Sequence, residues 1–119
     1  MSNTFARRHK YGAVATTVDG IRFASQKEAA RYCELKILEK AGVVKDIEIQ
    51  PKFALCVPLH GRTNVHVKVG TYRADFRYRE GPRGILVIED VKSAGTRTTA
   101  YRLRKRMVEA QYGITIREV

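Results

Sequence analysis

The segment that most constrains this chain is Ile85-Leu86-Val87-Ile88-Glu89-Asp90-Val91-Lys92. Four consecutive apolar residues without alternation predict a strand buried on both faces, which requires a layer of structure above and below it. The strand then runs into Glu89, Asp90 and Lys92, and charges at the end of a buried strand are costly unless something stabilises them. Strand alternation places Asp90 and Lys92 on one face and Glu89 on the other. A carboxylate beside an ammonium suits phosphodiester hydrolysis. The acid can hold a divalent cation, while the lysine orients water or stabilises charge on the phosphate. An ordinary ion pair at a solvated strand end is the alternative.

The elements around this strand give the architecture. Residues Met1 to Lys10 form a basic arm, expected to be mobile. Val14 to Phe23 reads as a hairpin turning at Asp19-Gly20. A helix starts after Ala24, where Ser25 and Glu28 form a capping-box pattern, and stops at Gly42. Its expected inner stripe is Ala30, Cys33, Ile37, Leu38 and Ala41. From Ile47 to Leu59 the apolar period becomes two, interrupted by Pro51. Val65, Val67 and Val69 alternate next. Gly70-Thr71 shifts the phase as a bulge would, and Tyr72, Ala74, Phe76 and Tyr78 continue the apolar side. After the apolar strand and a Ser93 to Thr99 connection, a basic helix is expected over Ala100 to Gln111. Leu103, Met107 and Ala110 would face inward, Gly113 would stop it, and Ile114 to Ile116 would form a last strand. One domain of 119 residues results, an α/β sandwich around a central mixed sheet.

Charge narrows the partners. Lys and Arg number 23 against 12 Asp and Glu, a net charge of +11. So positive a body favours polyanions, nucleic acid before an anionic membrane. No apolar run approaches the roughly 20 residues that span a bilayer, and no apolar segment follows the basic N-terminus as in a secretory signal. Cys33 and Cys56 fall in apolar-patterned segments without metal spacing, and read as reduced packing cysteines of a cytoplasmic protein. His9, His60 and His66 show no zinc spacing.

Asp75 lies on the polar parity of Tyr72-Arg73-Ala74-Asp75-Phe76. A short turn joins that strand to the Asp90 strand, so the two are expected to be antiparallel neighbours. Asp75 and Asp90 would then converge on one Mg²⁺ or Mn²⁺; alternatively Asp75 pairs with Arg73 or Arg77. The helical wheel turns Glu28 away from the expected stripe, as befits a surface cap. Ahead of the basic helix, Thr96-Arg97-Thr98-Thr99 brings hydroxyls and a base to a helix N-terminus, a setting that suits phosphate.

These pieces resemble the PD-(D/E)xK nuclease superfamily, whose second motif element appears as Asp90-Val91-Lys92 and whose first acid is Asp75. The order helix, three strands, helix, strand from Ser25 to Val119 is similar to that superfamily's restriction-endonuclease-like core. More closely, the chain resembles a family of small phage-borne proteins, through Phe23-Ala24-Ser25-Gln26-Lys27-Glu28-Ala29, Gln50-Pro51-Lys52-Phe53, Tyr72 to Phe76 and Glu89 to Lys92. It is similar in plan to archaeal-type Holliday-junction resolvases. Ala74 stands where the motif has proline, and adjacent acids leave Glu89 as the motif residue if the strand bulges. The resemblance implies a metal-dependent DNA endonuclease, a homodimer on branched DNA, working in the cytoplasm of a phage-bearing bacterial host. A nicking or linear-duplex nuclease, or a non-catalytic DNA binder of the same shape, is the alternative. It further implies that Glu28 joins Asp75 and Asp90 at the metal and that the basic helix packs beside the motif strand. Arg97, Thr99, Tyr101, Arg102 and Lys105 would meet DNA, with Lys105 nearest the scissile position.

Overall fold

A computed structural model describes residues 14–93 and 95–119; the basic arm expected over Met1 to Lys10 lies outside the described residues. The hairpin forms as β1 (Thr16–Val18) and β2 (Ile21–Phe23). Its turn residues, Asp19 at φ 53° and Gly20 at φ 76°, both take the left-handed conformation that a two-residue hairpin turn needs. Helix α1 spans Gln26–Lys40, and the Ser25 hydroxyl accepts the Glu28 N–H at 3.1 Å. The chain leaves α1 through Gly42 at φ 78°, as expected.

The main sheet holds β3 (Val44–Ile49), β6 (Phe76–Glu80), β7 (Ile85–Asp90) and β8 (Ile116–Glu118), in that spatial order. Its first three strands are antiparallel and β8 runs parallel to β7, so the sheet is mixed and the fold is α/β. Helix α1 covers one face over Phe23, Tyr32, Leu35, Phe76, Tyr78 and Val87. Helix α2 (Thr99–Tyr112) covers the other with Ile88, Tyr101, Val108 and Ile116. Between β3 and β6 in sequence lie β4 (Lys52–Pro58) and β5 (His66–Arg73), which among the described residues pair only with each other, as a ribbon. Among the described residues, no helix is long and apolar enough to cross a membrane.

Several expectations are corrected. The two long strands each break and change sheets, at Gln50-Pro51 and at Ala74-Asp75, so five strands stand where three were expected before α2. The two breaks face each other: Gln50 N–H donates to Asp75 O at 2.9 Å and Ala74 N–H to Pro51 O at 3.1 Å. The phase shift does fall beside Gly70, where the β4–β5 register slips between Leu55 and Cys56.

Most of the expected stripe on α1 points outward, with Ile37 67% exposed and Cys33 exposed rather than packed, while Leu38 does pack against the core. The buried face is Ala29, Tyr32 and Leu35, one residue round, because Arg31 turns inward to Glu89 and Tyr32 fills the core. Helix α2 likewise buries Tyr101 and Val108, leaving Leu103 exposed and Met107 half-buried. Strand β7 is buried on both faces as expected at Val87 and Ile88, but not over its first two residues. Ile85 and Leu86 are exposed, whereas Val87 through Val91 are buried, because both helices cover the strand's acidic end. Strand β8 begins two residues later than expected. Ile114 N–H still closes α2 onto Glu109 O, and Glu109 Oε2 accepts the Ile116 N–H at 2.8 Å.

Candidate active site

Antiparallel pairing sets Phe76 opposite Glu89, so one step further Asp75 stands opposite Asp90. Asp75 N–H donates to Asp90 Oδ1 at 3.1 Å, and Asp75 Oδ2 accepts the Val91 N–H at 2.7 Å. These bonds orient both carboxyls at the end of the sheet, with Glu28 from the first turn of α1 beside Asp75 and Tyr101 from the first turn of α2 beside Asp90. Asp90 is 2% exposed, and Tyr72 donates its hydroxyl to Asp90 Oδ2. Burial raises the Asp90 carboxyl above its ordinary range; the Tyr72 bond and Lys92 oppose this, while Asp75 adds to it. Asp75 is pushed up to about 7, first by burial and then by repulsion from the neighbouring Glu28.

Glu28 therefore does not sit on a surface face. It is half-buried beside Asp75, because the inner face of α1 is rotated from the one expected. Its backbone N–H still serves the Ser25 cap, so capping and proximity to the acids coexist. Asp75 pairs with neither Arg73 nor Arg77; Arg77 Nε donates instead to Glu48 Oε1 at 3.0 Å.

Lys92 lies on the same side as Asp90. Its Nζ stands 4.0 Å from the centre of the Tyr101 ring, a cation–π contact that fixes the ammonium. Tyr101 is held in turn by a 2.8 Å bond from its hydroxyl to Glu118 Oε2. A polar cleft of about 600 Å³ opens over Asp90 and Lys92, walled by Thr71, Arg73, Thr96, Thr98 and Arg104 among others.

Glu89 faces the opposite way, as alternation without a bulge requires. It is completely buried, accepts both Nε (2.7 Å) and Nη2 (3.1 Å) of Arg31, and takes a 2.6 Å bond from the Tyr78 hydroxyl. Burial and Glu89 together push the Tyr78 hydroxyl up to about 12. Glu89 is thus a core ion-pair member, and Asp90 is the acid that meets the cleft.

The residues expected to meet DNA divide. Tyr101 is buried under Lys92, and Thr99 and Arg102 are exposed but do not wall the cleft. Arg97 Nε and Lys105 Nζ both reach Glu118, at 2.9 and 3.3 Å. The Arg97 bond leads the contacts that hold the Glu118 carboxyl down to about 2. The hydroxyls before α2 are used internally, Thr98 capping Tyr101 N–H and Thr96 bonding Ser93. Sequence reasoning misses Tyr72, Arg104 and Glu118 as parts of the site. By its parity Tyr72 is only an apolar strand residue, and Glu118 carries no local signal.

Oxygen donors from carboxylates suit a hard divalent cation. Burial and Glu28 raise Asp75 to about 7 against the opposing pull of the Val91 amide and Lys92, so negative charge is crowded here, which fits such an ion. As the side chains stand, no three His, Cys, Asp or Glu among the described residues already form a cage for it.

No curated protein and no solved structure matches this chain. Residues 8–117 match the model of the family described as Protein of unknown function (DUF1064), and the chain belongs to that family.

Proposed function

We propose that this protein is a metal-dependent DNA endonuclease with a restriction-endonuclease-like core. The observation that carries the reading is the pairing of Asp75, just before β6, with Asp90 at the end of β7, where Asp90 and Lys92 line one cleft together with Arg73 and Arg104. An acid pair inside a chain of net charge +11 is expected of a site that handles a phosphodiester, since binding alone would not require acids there.

Asp75 and Asp90, with Glu28 beside them, would hold Mg²⁺ or Mn²⁺, and such an ion supplies Lewis-acid polarisation of the phosphate and activation of water. The chain's own groups do the rest. Tyr72 and the Asp75 and Val91 amides fix the two carboxyls, so little reorganisation remains. Lys92, steadied over Tyr101, places positive charge where negative charge grows on the phosphate. Arg73 and Arg104 in the cleft wall orient the flanking backbone.

Branched DNA is the proposed substrate, cut by a two-fold dimer that brings two sites to one junction. Val57, Leu59, Val65, Val67 and Val69, 37–54% exposed at the outer part of the ribbon, offer an apolar patch for such pairing. Purified protein with Mg²⁺ should cut a four-way junction in preference to linear, nicked or flapped DNA, and should be inactive in EDTA. Asp90→Asn and Lys92→Ala should each lower cleavage by about a hundredfold or more, the scale of losing one transition-state charge partner. Full activity in EDTA or in either variant would remove the nuclease. A monomer by light scattering on the junction, or equal cutting of linear duplex, would remove only the junction preference.

A further inference from the structure

Beyond the cleft, the β4–β5 ribbon leaves the body of the protein; every residue from Val57 to Val69 is exposed. Nearer the body, its two faces differ. One buries Phe53, Leu55 and Tyr72 in the core under α2. The other presents Lys52, Lys68 and Arg73, all exposed, around a shallow concavity of about 570 Å³ floored by Ala54 and Thr71.

Register places Lys52 directly opposite Arg73. Like charges directly across a sheet repel. Among the described residues, none of these three cations forms an ion pair with an acid. On α2, by contrast, Lys105 is drawn to Glu118, as is Arg97 just before the helix. Lys52, Lys68 and Arg73 thus gather uncompensated positive charge around one concavity of the ribbon, and it is continuous with the cleft, since Thr71 and Arg73 line both concavities.

We propose that the outer face of the ribbon, through Lys52, Lys68 and Arg73, carries the backbone of duplex DNA away from the cleft. The choice of DNA rests on the nuclease reading of the Asp75–Asp90 site; the location does not. At about 3.3 Å per residue, the run from Arg73 to Lys68 covers roughly 16 Å, about five phosphate spacings on one strand. A two-stranded ribbon is an element that the B-DNA major groove admits and the narrow major groove of A-form RNA does not.

Binding of the full chain to a short blunt DNA duplex, measured in EDTA across a salt series, tests this without needing cleavage. Joint replacement Lys52→Gln, Lys68→Gln and Arg73→Gln should reduce the log–log salt slope by about 2 to 3, near 0.9 for each phosphate that is no longer neutralised. Arg73→Gln alone should reduce it by about 1, which keeps the test valid if the triple variant unfolds. The charge-matched control is Lys40→Gln, Lys45→Gln and Arg83→Gln. These exposed positions lie at the opposite end of the sheet, where Val44 pairs with Glu80, and the control should leave the slope almost unchanged. An unchanged slope in folded ribbon variants, or a loss matched by the control, overturns the proposal. A loss confined to Arg102→Gln with Arg106→Gln on α2 does the same. Equal ribbon dependence with an RNA duplex overturns the assignment to DNA. A protein that binds through the ribbon but never cleaves keeps this surface and loses the nuclease.

Discussion

Glu89 and Asp90 are neighbours on one strand, both buried, and their surroundings are opposites. On the α1 side, Glu89 receives the fork of Arg31 and the hydroxyl of Tyr78, so every strong partner it needs lies inside the fold. On the α2 side, Asp90 is set against another carboxyl, Asp75, and opens onto a cationic cleft. Burial is equal and compensation is not. A buried acid with its own guanidinium is structure, whereas a buried acid facing a half-buried one leaves charge that awaits a cation. The difference teaches that the side of the sheet, more than residue type or depth, assigns the role.

The largest effect that would break this contrast is on stability. Arg31→Leu leaves Glu89 buried without its cation and should cost about 3–5 kcal/mol in a denaturant melt. Asp90→Asn should change stability by no more than about 1 kcal/mol. Its amide can still face the Asp75 N–H with oxygen, while the Tyr72 hydroxyl rotates to accept from the amide nitrogen. Comparable losses in the two variants would abolish the distinction between a structural and a functional acid.

A second, intermediate effect is the pH dependence of the metal-free chain. The Asp75 carboxyl is raised from 3.8 to about 7, so the folded state binds that proton more tightly than the unfolded state. Its stabilising share is whole below the unfolded value and is lost as pH rises through the folded one. In EDTA, Tm should therefore fall between about pH 4 and pH 7, and Asp75→Asn should flatten that decline. Added Mg²⁺ at neutral pH should restore the loss in the native chain and not in the variant. A flat native profile would show that the crowding of acids around Asp75 has no energetic consequence.

The smallest expected change in stability sharpens the comparison at Glu28. Glu28→Gln keeps the backbone N–H that Ser25 accepts, and glutamine still suits a capping box, so stability should shift by less than about 1 kcal/mol. Losing the charge beside Asp75 should nonetheless move the pH-dependent decline to lower pH, because Glu28 helps to raise that carboxyl. Cleavage should drop well beyond what that stability change explains. Unchanged cleavage with an unchanged pH profile would reduce Glu28 to a helix cap.

Legibility follows the range of the forces involved. The β1–β2 turn, the Ser25 cap, the Gly113 stop and the opposite facing of Glu89 and Asp90 are all readable, because each is decided by a few consecutive residues. The helix faces are misread because apolar counting ignores what a tyrosine buries and what a buried acid attracts. Arg31 and Tyr32 turn α1, while Tyr101 and Glu118 orient α2. Pro51 marks a break in the strand, but nothing nearby indicates that the chain changes sheets there.

Sequence by itself determined the α/β class, the acidic end of β7 and the placing of Asp90 and Lys92 on one side, since strand alternation is a local geometric rule. Tertiary structure alone decided which charges are compensated. Arg31 reaches Glu89 across 58 positions, whereas Glu118 draws Arg97 and Lys105 from 21 and 13 positions away. The cations of the ribbon are left without such partners among the described residues. Pairing of that kind depends on distance and burial in the folded chain, and neither quantity exists until the helices have packed on the sheet.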